Sequence, residues 1–97
     1  MIQFSYIHVP TNRKLEQFAI KNFQSVMKQS NVLRVDVTFK RIFDLRNRVR
    51  EVANVLVTTK DKNIICEIKS TKFKKSIEIA TDSLTRKVNN GSDLLTA

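Results

Sequence analysis

The chain opens with apolar and polar residues in alternation. In Ile2-Gln3-Phe4-Ser5-Tyr6-Ile7-His8 the first residues keep a period of two until Pro10 stops it, which predicts a strand with one buried face. The period then changes. Leu15, Phe18, Ala19, Phe23, Val26 and Met27 recur at helical spacing, while Arg13, Lys14, Gln17, Lys21 and Gln24 cover the rest. Thr11 or Asn12 is placed to cap this helix, and Ser30-Asn31 ends it.

Leu33, Val35, Val37 and Phe39 next alternate with Arg34, Asp36, Thr38 and Lys40, the clearest strand in the chain. Asp44-Leu45-Arg46-Asn47 supplies a turn, and Val49 to Thr59 returns as a β-branched strand with Ala53, Val55 and Val57 on one face. These two strands are expected to pair as a long hairpin. A second turn at Lys60-Asp61-Lys62-Asn63 leads into a fourth strand, where Ile64, Cys66 and Ile68 alternate with Ile65, Glu67 and Lys69. From Thr71 the period is helical again, because Phe73, Ile77, Ala80, Leu84 and Val88 form one stripe until Asn89-Asn90-Gly91 stops it.

The order β-α-β-β-β-α predicts an α+β domain, with two helices packed on one face of a four-stranded sheet. Its last four elements and first helix have the α-β-β-β-α order of double-stranded RNA-binding domains. At 97 residues and 41% hydrophobic content the chain suits one cored domain. That domain is expected over residues 1–90, with 91–97 a short flexible tail.

Composition narrows the chemistry. Cys66 is the only cysteine, which excludes an internal disulfide and favours a reducing compartment. No apolar run approaches the roughly 20 residues that span a bilayer, so a cytoplasmic protein without membrane contact is expected. His8, the only histidine, has no partner at a catalytic spacing, and the carboxylates are dispersed without a paired arrangement. No catalytic residue, metal, cofactor or small-molecule substrate is expected, and the protein is read as a non-enzyme.

Charge points to a polyanionic partner. Eighteen Lys and Arg against nine Asp and Glu give a net charge of +9. Lys40, Arg41, Arg46, Arg48 and Arg50 cluster around the hairpin tip, with Asp44 the only acid between Lys40 and Arg50. On the last helix Lys72, Lys75 and Arg86 fall opposite the apolar stripe, flanked by Lys74 and Lys87, with Asp82 on the same side. The absence of Trp and the single Tyr argue against a stacking platform for single strands, and favour recognition of shape and phosphate. These nine residues, Lys40, Arg41, Arg46, Arg48, Arg50, Lys72, Lys75, Arg86 and Lys87, are the candidate RNA contacts.

The stretch Phe73-Lys74-Lys75-Ser76-Ile77-Glu78-Ile79-Ala80-Thr81-Asp82-Ser83-Leu84-Thr85-Arg86-Lys87-Val88 resembles, in spacing and polarity, the signature of the short ribosome hibernation-promoting factors, the family that includes ribosome-associated inhibitor A. The opening strand, the first helix and Val35-Asp36-Val37-Thr38-Phe39-Lys40 support it, and the resemblance runs from Ile2 to about Asn90. It implies binding to ribosomal RNA in the cleft between head and body of the small ribosomal subunit, where messenger and transfer RNAs lie. Translation would be silenced there sterically, during stress or stationary phase. Of the basic ladder common on the family's last helix, Arg86 matches, whereas Ser83 and Asn90 stand at lysine positions. The long forms add a dimerisation domain that this sequence does not contain. Self-driven ribosome dimerisation is not implied, and a monomer off the ribosome is expected. A generic RNA-binding or RNA-chaperone module, and a protein-interaction regulator with a basic surface, are the alternative readings.

Overall fold

The computed structural model describes residues 1–89; the expected helix stop at Asn90-Gly91 and the tail 91–97 lie outside the described residues. The elements follow the expected order: β1 (Ile2–Ile7), α1 (Arg13–Met27), β2 (Val32–Phe43), β3 (Val49–Thr59), β4 (Asn63–Ser70) and α2 (Phe73–Asn89). The four strands form one sheet in the order β1-β2-β3-β4. β1 lies parallel to β2, and the β2–β3 and β3–β4 pairs are antiparallel.

The apolar periodicities meet in one core. Val35, Val37 and Phe39 of β2, Ala53, Val55 and Val57 of β3, and Ile64 and Cys66 of β4 are buried beneath Leu15, Ala19, Phe23 and Val26 of α1 and Phe73, Ile77, Ala80 and Leu84 of α2. Phe39 is the hinge of this packing. Its ring meets Tyr6 at 5.4 Å and Phe73 edge-on at 5.3 Å, tying β1 and α2 to the central strand. Cys66 is buried as a small hydrophobe.

Capping decides how the helices begin. Asn12, not Thr11, caps α1: its Oδ1 accepts the Leu15 amide at 3.0 Å. For α2 the capping acceptor comes from another strand, since Glu51 Oε1 accepts the Phe73 amide at 2.9 Å. The helices run side by side in the same direction. The Lys74 ammonium sits 5.4 Å from the centre of the Phe18 ring, and further along Ser25 Oγ lies 3.2 Å from Thr85 Oγ1.

Two expectations need correction. Leu33 was expected in the core by alternation, yet it is exposed, because the β2–β3 register shifts between Val32 and Arg34 and turns Val32 inward in its place. Lys40 and Arg41, expected at the hairpin tip, lie instead within the paired strands, opposite Val52 and Glu51, because β2 runs on to Phe43 before the chain turns. The tip is closed by a turn in which the Asn47 amide donates to the Asp44 carbonyl and Asn47 takes a left-handed φ of 63°.

Candidate nucleic-acid interface

The nine candidate residues are divided among separate surfaces. Lys40 and Arg50 sit at register positions on the sheet face away from the helices, alternating with buried Phe39 and half-buried Glu51. Lys40 pairs there with Glu67 at 3.3 Å. Hydrogen bonding by the Asn54 amide, assisted by this ammonium, holds the Glu67 carboxyl below its usual range.

At the tip, Asp44 gathers the basic groups around itself. Its Oδ1 accepts the Arg46 and Arg48 amides at 2.8 and 2.9 Å, and its Oδ2 accepts from Arg48 Nε at 2.9 Å. Arg50 Nε lies 4.0 Å from the same oxygen. The backbone N–H of Arg48, then that of Arg46 and the Arg48 guanidinium, hold the Asp44 carboxyl below its ordinary value. Three arginines against one aspartate leave the tip net positive, but two of the guanidiniums are drawn onto Asp44 and only Arg46 stands free of an ion pair among the described residues.

Lys75 and Arg86 lie on the outer face of α2, but so do Glu78 and Asp82, and Arg86 pairs with Asp82 one turn away. Two cations against two carboxylates leave that stripe balanced. Lys87 is exposed near the end of the helix, without an ion-pair partner among the described residues.

The structure does bring Arg41 and Lys72 together. Arg41 faces the helix layer, donating to Glu51 Oε2 at 2.8 Å with its guanidinium 5.6 Å from the centre of the Phe73 ring. Lys72 supplies the carbonyl that accepts the first helical bond of α2, from the Ser76 amide, and its side chain is exposed. Both line the same cavity between the helix N-termini, together with Lys14 and Lys74.

The strongest unbalanced stripe lies on α1. Lys14, Lys21 and Lys28 follow one another at seven-residue intervals, which places them within about 40° on the helix surface and about 10 Å apart along it. All three are exposed, with Gln17 and Gln24 between them, and none has an ion-pair partner among the described residues. Glu16, the only acid of α1, lies off this stripe and accepts the Tyr6 hydroxyl at 2.6 Å. Burial, reinforced by that bond, raises the Tyr6 phenol above its usual value. In the sequence Lys14 and Lys21 stand out only as part of the polar cover of the helix; the seven-residue spacing that continues to Lys28 is the signal that singles out the stripe.

No helix of the described residues is long and apolar enough to cross a membrane. Among the described residues no group of three or more His, Cys, Asp or Glu is placed to hold a metal ion.

A parallel edge strand, an antiparallel three-strand meander and two helices lying in one direction over one sheet face define the class of fold. The structure is similar to the crystal structure of the Thermus thermophilus Protein Y N-terminal domain, with a TM-score of 0.74 and 13% sequence identity over 91% of this chain and 93% of that one. It is also similar to a ribosomal subunit interface protein from Coxiella burnetii, with a TM-score of 0.77 and 15% identity over 95% of this chain and 97% of that one. No protein-family model and no curated protein matches the sequence. At these identities the shared property is the fold, and the resemblance read from the sequence is borne out at that level.

Proposed function

We propose that the protein binds the small ribosomal subunit through its RNA and silences translation by occupying the cleft between head and body, where messenger and transfer RNAs lie. The observation that carries this reading is the acid-free lysine stripe of α1, set on a fold that a ribosomal subunit interface protein shares. Lysines about 10 Å apart on a rigid helix meet successive phosphates without needing a sequence, which suits a partner recognised by backbone and shape. The helix layer is the binding face. Lys14, Lys21, Lys28, Lys72, Lys75 and Lys87 supply its charge, and Arg86 joins them if RNA displaces Asp82. Lys40 and Arg50, on the other side of the sheet, and the Asp44-held tip contribute less. The protein acts in the cytoplasm, without a catalytic step, as a monomer until it meets the ribosome.

Sedimentation through a sucrose gradient at moderate salt tests this reading. Co-migration with small subunits and intact ribosomes is expected. Binding to free duplex RNA without preference for ribosomes would favour a generic RNA-binding module, as the double-stranded RNA-binding order of elements suggests. Binding to neither would leave an acidic protein partner.

A further inference from the structure

Between the first turns of α1 and α2 lies a partly open cavity of about 550 Å3, inside the size range of small-molecule sites. Its wall is divided chemically. Val9, Pro10, Leu15 and Phe73 make an apolar side, and the cations Lys14, Arg41, Lys72 and Lys74 line the rest with a single carboxylate, Glu51. Four cations against one acid leave three positive charges. The acid is already engaged at both oxygens, by the Phe73 amide and by Arg41 Nε, so it does not oppose a further anion as a free carboxylate does. Both helix starts are capped within the protein, by Asn12 and Glu51, so attraction for an anion rests on the side chains.

A bare phosphate satisfies the lysines and leaves the apolar wall facing water. A nucleotide satisfies both, because it joins a phosphate to a flat base whose faces are apolar and whose edge is polar. The Arg41 guanidinium, held at 5.6 Å from the Phe73 ring, presents a planar cationic surface suited to a base. The Asn12 side chain keeps its amide N–H donors, since only its oxygen serves the cap, and these can read a base edge.

We propose that this cavity is a nucleotide site, with phosphate held by Lys14, Lys72 and Lys74 and the base laid against Pro10, Val9 and the Arg41–Phe73 pair. The chemistry fits a soluble nucleotide or an unpaired nucleotide of RNA. In the second case the site deepens the proposed function and rests on it, fixing the helix layer on ribosomal RNA at one extruded base.

Amide NMR on the full chain tests the site, with 5′-AMP, 5′-UMP, inorganic phosphate and an unstructured oligoribonucleotide as probes. A saturating shift of the Thr11, Lys14, Lys72 and Phe73 amides with a nucleotide or the oligonucleotide is expected. Saturation by mononucleotide assigns a soluble ligand, whereas saturation by the oligonucleotide alone assigns an RNA nucleotide. K14A/K72A should weaken the response at least about tenfold, and Thr11→Trp, which fills the cavity without changing charge, should abolish it in a chain whose spectrum stays dispersed. Equal shifts and affinity with inorganic phosphate would overturn the nucleotide site in favour of a phosphate site. No response to any probe at millimolar concentration would overturn it too, even for a protein that co-sediments with ribosomes. Nucleotide binding by a protein that does not co-sediment would sustain the cavity and overturn the ribosome reading.

Discussion

Glu51 Oε1 accepts the backbone N–H of Phe73 at 2.9 Å across 22 residues of chain, so the middle strand of the β2–β3–β4 meander caps the last helix. The other oxygen of Glu51 accepts from Arg41, whose guanidinium covers the Phe73 ring, and the Glu51 carbonyl accepts the buried Ser76 hydroxyl at 2.8 Å. One strand position thus fixes where α2 starts, how it sits on the sheet, and where Arg41 stands beside the cavity.

Replacing Glu51 with Ala removes the cap and leaves Arg41 without its partner. A loss of about 1–3 kcal/mol in urea denaturation is expected, and Glu51→Gln, which keeps an acceptor for the Phe73 amide, should lose distinctly less. Equal losses for the two variants would mean that the charge, not the cap, is what matters.

Phe73 and Leu84 anchor α2 in the core, both being buried against the sheet. Phe73→Ala or Leu84→Ala should each cost about 2–5 kcal/mol. A cost below about 1 kcal/mol would show that this face of the helix does not carry the packing.

The fold was largely legible in the sequence, for a physical reason. Each strand has one buried face and each helix one buried stripe, so Val35-Asp36-Val37-Thr38-Phe39 and the Phe73-to-Val88 stripe declare their periods directly. Leu33 escaped because a register shift reverses the facing of a residue without any local signal. The candidate interface was legible only in part. Charge counting finds Arg46, Arg48 and Arg50, but the turn that wraps Asp44 with two amides and two guanidiniums exists only after the chain folds. Lys14 and Lys72, 58 positions apart, meet through the parallel packing of two helices, which no local pattern encodes.

The hairpin tip should respond to acid later than an ordinary aspartate. Asp44 is held below its unfolded value by the Arg48 and Arg46 amides and the Arg48 guanidinium. Its contribution to the ordered turn is therefore fully present above the unfolded value of about 3.9 and is lost as pH falls through the lower folded value. Amide shifts of Arg46 and Arg48 should hold steady from pH 7 to about 4 and change only below that. A midpoint above about 4 would contradict the hydrogen-bonding pattern of the turn.

Asp82 restrains Arg86 through the pairing on the outer face of α2. An exposed pair one turn apart is worth about 0.3–0.5 kcal/mol, so Asp82→Asn should tighten binding to small subunits by about twofold or more while removing one repelling charge. Weaker binding would mean that Asp82 itself meets the partner.

The lysine stripe of α1 can be tested directly, in a Lys14→Gln, Lys21→Gln and Lys28→Gln variant whose helicity is checked by circular dichroism, with a Lys21→Gln, Lys28→Gln variant that spares the cavity as its companion. The measurement is affinity for isolated small ribosomal subunits across a salt series. Each lost phosphate contact should remove about one unit of slope in the double-logarithmic plot, so the triple variant should lose about two to three units and bind at least about tenfold more weakly at low salt. The corresponding change at Arg46, Arg48 and Arg50 should cost less, because Asp44 already holds two of those arginines. An unchanged affinity and slope in the triple α1 variant would show that the helix layer does not face ribosomal RNA.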